Sequence, residues 1–234
     1  MVAAISVMVT VLAFIPKLDI IKVFFLAVYS LVLFMFTYMV APKWYLSIVS
    51  PAVFLFLYLF SWNEYFLNFF AVIFVIYVST YLAALFTWKT VAGFAALLTL
   101  MDVVQVFVTG YMVTSSNNLM TLGLPAMISI PTFPSGFPEA RIILGLGDVF
   151  LAGLLVTQTT RKFGKKFGYV TAAIMAAIFF VFEIVLLNFL PGHFPATVMV
   201  VSGWLVAVGA KYLYDGAHPN QDVSSLNKEF KVEK

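Results

Sequence analysis

Arg141-Ile-Ile-Leu-Gly145-Leu146-Gly147-Asp148-Val-Phe-Leu-Ala-Gly153 sets a carboxylate inside an apolar run long enough to cross a bilayer. A charged side chain at that depth is costly, so it faces a partner or a water-filled cavity as a rule. One other aspartate lies inside an apolar run: Asp102, in Leu98-Thr-Leu-Met101-Asp102-Val-Val-Gln105-Val. Two buried aspartates on neighbouring helices are the minimum equipment of an acid–base dyad.

Composition fixes the solvent around that pair. Hydrophobic residues make up 63% of the 234 and charged residues only 10%, whereas a soluble domain carries about 25% charged residues. The chain is therefore expected to be an all-α, polytopic membrane helix bundle. Its apolar runs are too long and unbroken for the alternating strands of an outer-membrane barrel. With no cysteine, disulfides, thiolate metal sites and cysteine nucleophiles are excluded. Two histidines in the whole chain give no metal-ligand spacing, and no cofactor is expected. The lipid bilayer is an expected partner; nucleic acid is not.

Apolar runs of roughly the length a bilayer requires predict eight spans: Met1–Ile15, Ile20–Val40, Trp44–Phe60, Tyr65–Phe86, Val91–Met112, Ile142–Thr157, Tyr169–Leu190 and Ala196–Leu213. The first has no charge before Lys17, unlike a secretory signal, which opens on a basic region. Three regions follow: residues 1–86, an N-terminal four-helix membrane region; 87–214, a catalytic membrane region holding both aspartates; and 215–234, a polar tail. Trp44, Trp62 and Trp88 stand at run ends, where amphipathic rings favour the interface. The one long polar connection runs from Thr114 to Glu139. It contains a proline-bracketed apolar segment, Leu124-Pro125-Ala-Met127-Ile-Ser-Ile-Pro131, too short to span and biased by its prolines toward extended backbone.

Charge bias sets the orientation. The cluster Arg161–Lys166 places its loop in the cytoplasm, and alternation then puts ten of the thirteen basic residues inside, with both termini cytoplasmic. On this topology Asp102 lies ten residues from the outer end Met112, about 15 Å at the helical rise. Asp148 lies seven residues from the outer start Arg141, about 10 Å by the same rise. Two carboxylates at similar depth on antiparallel neighbours can approach each other. Such a pair cannot ionise twice, so it shares one proton. The ionised member can draw a proton from attacking water, while its protonated partner polarises a carbonyl and later serves the leaving nitrogen. Gly145 and Gly147, lacking side chains, would let a substrate backbone approach Asp148, although Gly145, Gly147 and Gly153 are equally suited to close helix packing.

Downstream, Phe194-Pro195-Ala196-Thr197 opens the last span 47 residues after Asp148. An intramembrane aspartate, a Gly145-Leu146-Gly147-Asp148 motif and a Pro195-Ala196 pair before the final helix together resemble the presenilin and signal peptide peptidase family, its archaeal homologues above all. The run Asp102-x-x-x-Val106-x-x-x-x-x-Met112, then Pro125-x-Met127-x-x-x-Pro131, also resembles the stretch after the first catalytic aspartate of those homologues. The likeness covers Asp102 to about Trp204. It implies an intramembrane aspartyl protease with Asp102 and Asp148 as catalytic dyad, Gly145, Leu146 and Gly147 shaping the motif, and Pro195, Ala196 and Thr197 standing where the family has Pro-Ala-Leu. The chain departs from the family in having Met101 where a tyrosine is usual, Thr197 for leucine, and eight expected spans for nine.

A transmembrane substrate satisfies its own backbone hydrogen bonds in lipid, so it must unwind before a carbonyl can be attacked. An exposed strand edge can hold the unwound part, and Leu124, Pro125, Met127, Pro131 and the backbone near Pro195 are the candidates. The orientation resembles that of signal peptide peptidases and favours type II single-span proteins or leftover signal peptides as substrates. Two other readings stand beside this one. A type IV prepilin peptidase also uses a Gly-x-Gly-Asp, but there Val-Lys typically follows, and here Val149-Phe150 does. A proton-coupled transporter could use Asp102, Asp148 and Glu183 as a relay, and would predict related halves, of which the sequence gives no convincing sign. Gln105, one turn from Asp102, is suited to hydrogen-bonding a neighbour. His193 belongs to a loop.

Overall fold

The computed structural model describes residues 18–40, 43–110, 123–125, 127–131, 141–189 and 194–217. The expected first span Met1–Ile15, most of the Thr114–Glu139 linker, His193 and the tail beyond Ala217 lie outside them. Within the described residues the chain is mostly helical. Its helices are α1 (Leu18–Val40), α2 (Val49–Phe60, entered through a 3-10 turn at Trp44–Ile48), α3 (Glu64–Leu85), α4 (Trp88–Val104), α5 (Leu146–Phe163), α6 (Lys165–Phe189) and α7 (Ala196–Ala217). Five stretches among these residues are long and apolar enough to cross a membrane: Lys22–Val40, Glu64–Leu85, Trp88–Thr109, Lys165–Leu186 and Ala196–Ala217. Trp44–Phe60 is apolar but shorter. Large apolar side chains face outward along these helices, Phe24 at 63% exposure, Phe60 at 73% and Leu213 at 77%, as lipid-facing residues do in a bundle whose solvent is hydrocarbon.

Local chemistry starts the helices where the chain turns. Asn63 caps α3 by accepting the Phe66 N–H at 3.0 Å, and Thr87 caps α4 through the Thr90 N–H at 3.4 Å; such side-chain acceptors satisfy orphan donors of the first turn. Gly164, at φ 93°, is the one residue between α5 and α6, a left-handed position that glycine alone occupies freely. The basic cluster expected as a loop thus occupies helix ends, with Arg161 and Lys162 in the last turn of α5, where cations complement the helix dipole.

The expected helix over Ile142–Thr157 divides in two. Arg141–Gly145 is a strand, β2, pairing antiparallel with β1 (Met127–Pro131), and the helix begins only at Leu146. The β-branched pair Ile142-Ile143 suits a strand, and glycine at 145 and 147 weakens a helix there. Asp148 therefore lies in the first turn of α5, and its separation from Arg141 does not measure depth by the helical rise.

The helix carrying Asp148 is the least apolar of the long ones, and it sits in the middle. It packs against α3, α4, α6 and α7. Its buried residues Leu151, Leu154, Leu155, Gln158 and Thr159 repeat at the spacing of one helix face. They meet Ala83 of α3, Val91, Phe94 and Ala95 of α4, Met175 of α6, and Val200, Trp204 and Val208 of α7 in the main core. Neighbouring helices shield the polar groups of this face from lipid. The Gln158 amide donates to the carbonyls of Ala83 and Phe86, each at 2.8 Å. The Arg161 guanidinium also donates to the Ala83 carbonyl, and the Trp204 indole donates to Thr159 Oγ1 at 3.0 Å. A second cluster, Tyr29, Leu33, Phe54 and Phe70, joins α1, α2 and α3.

Candidate active site

Asp102 sits two residues before the end of α4, at 8% exposure. Directly after the α-helix the backbone widens into a π-helical turn, Gln105–Thr109, ending at Gly110. Such turns are frequent at functional sites because they redirect side chains without ending the helix. Gln105 is also buried, and its N–H reaches the carbonyls of both Asp102 and Met101.

The third motif arrives from the far end of the sequence. Phe194 packs its ring against Phe107 of the π-helical turn and Phe182 of α6, with centroids 6.0 and 6.4 Å apart. That contact brings the start of α7 to the end of α4. Pro195 lacks an N–H and its carbonyl accepts the Val198 N–H at 3.2 Å, so the chain turns directly into the helix. Thr197 then places its hydroxyl against Asp102, Oγ1 donating to Oδ2 at 2.7 Å, with Thr197 at 3% exposure. Its backbone N–H faces the same carboxylate; this N–H is one of the orphan donors of a helix start.

Asp148, 7% exposed, is close enough to Asp102 for the two carboxylates to act on each other electrostatically. The two residues that resemble a dyad in sequence are thus neighbours in space, on α4 and α5, with α7 packed against both helices. The glycines around Asp148 divide by role. A Cβ at Gly145 would stand 3.0 Å from Asp148 Oδ2, whereas a Cβ at Gly147 would meet nothing within 4 Å. At Gly153 it would come within 2.8 Å of Ser79 Oγ on α3. Gly153 serves helix packing, Gly145 leaves room for the carboxylate, and exposed Gly147 leaves open space beside it. Leu146 is the first residue of α5, and Ala196 the first of α7.

A cavity of about 840 Å³ opens between α3, α5 and α6. Its walls are mainly apolar, with Asp148, Glu183, Ser79, Thr80 and Thr157 among the residues lining it. Among the described residues no three His, Asp or Glu side chains come together as a metal site.

No protein-family model, curated protein or solved structure matches this chain.

Of the residues proposed for substrate pairing, Met127 and Pro131 are the ends of β1, while Leu124 and Pro125 are buried beside it. Two further residues reach this region, Trp62 and Asn68. The Trp62 indole donates to the Gly123 carbonyl at 2.7 Å. The Asn68 amide donates to the Ser129 carbonyl at 2.8 Å and accepts the Ser129 N–H at 2.9 Å. The only sequence signal for Asn68 is an amide inside an otherwise apolar span.

Proposed function

We propose that the chain is an intramembrane aspartyl protease of the presenilin and signal peptide peptidase type, hydrolysing peptide bonds in or near transmembrane segments. The observation that carries this reading is the pairing of two buried aspartates on adjacent helices, Asp102 and Asp148, beside a β-hairpin whose second strand runs straight into the helix bearing Asp148. Two carboxylates sharing one proton can divide the roles of base toward water and acid toward the scissile carbonyl and amide. Thr197 holds Asp102 in place for that exchange.

The hairpin answers the other requirement of the reaction, a grip on unwound substrate. Backbone N–H and C=O of one strand residue point to the same edge, and the edge alternates with every residue. Ser129 directs both groups at Asn68, away from β2. Its partner Ile143 therefore directs its own away from β1, and Arg141 and Gly145, two residues to either side, do the same. Among the described residues, the edge open to a substrate strand is that of β2, which ends directly before α5. β-Augmentation there would lay a substrate backbone next to Gly145 and Asp148.

The rest of the reading follows the apolar runs and the charge bias: eight spans, both termini in the cytoplasm, and type II single-span proteins or remnant signal peptides as substrates. A second reading, a proton-coupled transporter, is favoured by one observation, that Asp148 and Glu183 line the same cavity. Cleavage of a single-span reporter by purified protein in liposomes separates the two. The protease reading expects cutting by the parent and none by Asp102→Asn or Asp148→Asn, each of which keeps the side chain's shape. Cutting by both variants would sink it, and proton-dependent uptake without cutting would favour the transporter.

A further inference from the structure

Asn68 lies on α3, 61 residues from Ser129, and its side chain makes the same two hydrogen bonds that a neighbouring strand would make. One primary amide has a donor and an acceptor side by side, and both are spent on one residue of β1 at 2.8 and 2.9 Å. In apolar surroundings unpaired strand edges are strongly unfavourable and recruit any extended chain nearby. Asn68 removes that edge at Ser129. Trp62, just before α3, holds the Gly123 carbonyl at 2.7 Å, so the same helix start tethers the segment leading into β1.

We infer that Asn68 is a positioning residue that sets where the substrate is cut, by sealing the outer edge of β1 and fixing the hairpin's register against α3. The inference rests on the protease reading. A two-stranded hairpin offers two edges, and only one is productive. A strand added to β2 lies next to the chain that becomes α5 and carries Asp148. A strand added to β1 would be one further strand away, about 4.8 Å more remote in the pairing direction. Sealing β1 leaves the productive edge alone. Fixing β1 also fixes β2, because their register pairs Ser129 with Ile143 and Met127 with Gly145. A hairpin free to slip would shift β1 along β2, and a substrate strand could then dock in registers displaced relative to Gly145 and Asp148, which the start of α5 holds together. Slips that keep each side chain on its own face move two residues at a time.

The test is cleavage of a single-span reporter in liposomes by the full-length parent, Asn68→Leu and Asn68→Asp, with product masses, KM and thermal stability measured for each. The expected result is one principal product pair from the parent. Asn68→Leu should give additional cuts displaced by two residues and a severalfold higher KM, at a somewhat lowered Tm, because Ser129 loses both partners. Asn68→Asp keeps the acceptor for the Ser129 N–H and loses the donor, so it should show a smaller shift of the same kind; it also stands in if the leucine variant does not fold. Parental product masses and KM from a folded variant would overturn the inference. Hydrogen exchange provides a readout independent of cutting. Loss of protection at 127–131 in Asn68→Leu is expected, and unchanged protection would overturn the clamp itself. If the parent does not cut at all, the protease reading and the register role fall together, while exchange still decides whether Asn68 holds β1.

Discussion

Thr197 Oγ1 donates to Asp102 Oδ2 at 2.7 Å across 95 residues of sequence. A hydroxyl stands where the resembled family has leucine, and it is spent on a catalytic candidate. A hydrogen bond to a charged group contributes about 1.5–3 kcal/mol, equivalent to about 10–100-fold in rate if it orients the acid in the transition state. We predict that Thr197→Val lowers kcat by that factor with little change in KM, and that Thr197→Ser restores most of it. Steady-state cleavage by the two variants checks this; parental kcat in the valine variant would remove the role.

Gly145 and Gly147 should respond differently to alanine. At 145 the new methyl meets Asp148 Oδ2 at 3.0 Å, and at 147 it meets nothing within 4 Å. Gly145→Ala is expected to displace the carboxylate and cut turnover at least tenfold, because a shift of even 1 Å in a reacting group can cost about a hundredfold. Gly147→Ala should stay within a few fold of the parent. Comparable turnover from both would mean that the space at Gly145 is not used.

At Gly153 the cost should fall on stability. A Cβ there sits 2.8 Å from Ser79 Oγ and 3.1 Å from Ser79 Cβ, and overpacking of this kind costs about 1–3 kcal/mol. Gly153→Val is expected to lower the Tm in detergent, with part of the loss recovered by Ser79→Gly. A Tm that the second change does not raise would place the strain elsewhere.

Gln158 closes the end of α3 through the Ala83 and Phe86 carbonyls. Arg161 also serves Ala83, which leaves Phe86 the more dependent on Gln158. Gln158→Leu should destabilise by about 1–3 kcal/mol, the cost of an unsatisfied buried acceptor, while cleavage per folded molecule stays near parental. Thermal unfolding followed beside activity separates the two effects.

Topology can be read directly, since the chain has no cysteine. Single cysteines introduced at Ser116 and Ser225 are expected to react with an impermeant thiol reagent from opposite sides, Ser116 from outside and Ser225 only after the membrane is opened. The reverse pattern would turn the substrate preference toward type I proteins.

Much of this molecule is written in local sequence. Apolar runs over Ile20–Val40, Tyr65–Phe86, Tyr169–Leu190 and Ala196–Leu213 became helices with ends moved by a few residues, because a long segment in lipid must satisfy its backbone within itself. Asp102 and Asp148 announced themselves as charges in apolar runs, for the same energetic reason. At Arg141–Gly145 local preference leaned toward a strand, and tertiary structure completed the choice. A short apolar run fits either period, and pairing with Met127–Pro131 settled it. Tertiary structure alone brought Thr197 to Asp102 and Asn68 to Ser129, contacts spanning 95 and 61 residues. A hydroxyl or an amide in a span carries no mark of its partner, because a hydrogen bond is set by direction and distance in the folded bundle, and neither exists until the helices have packed.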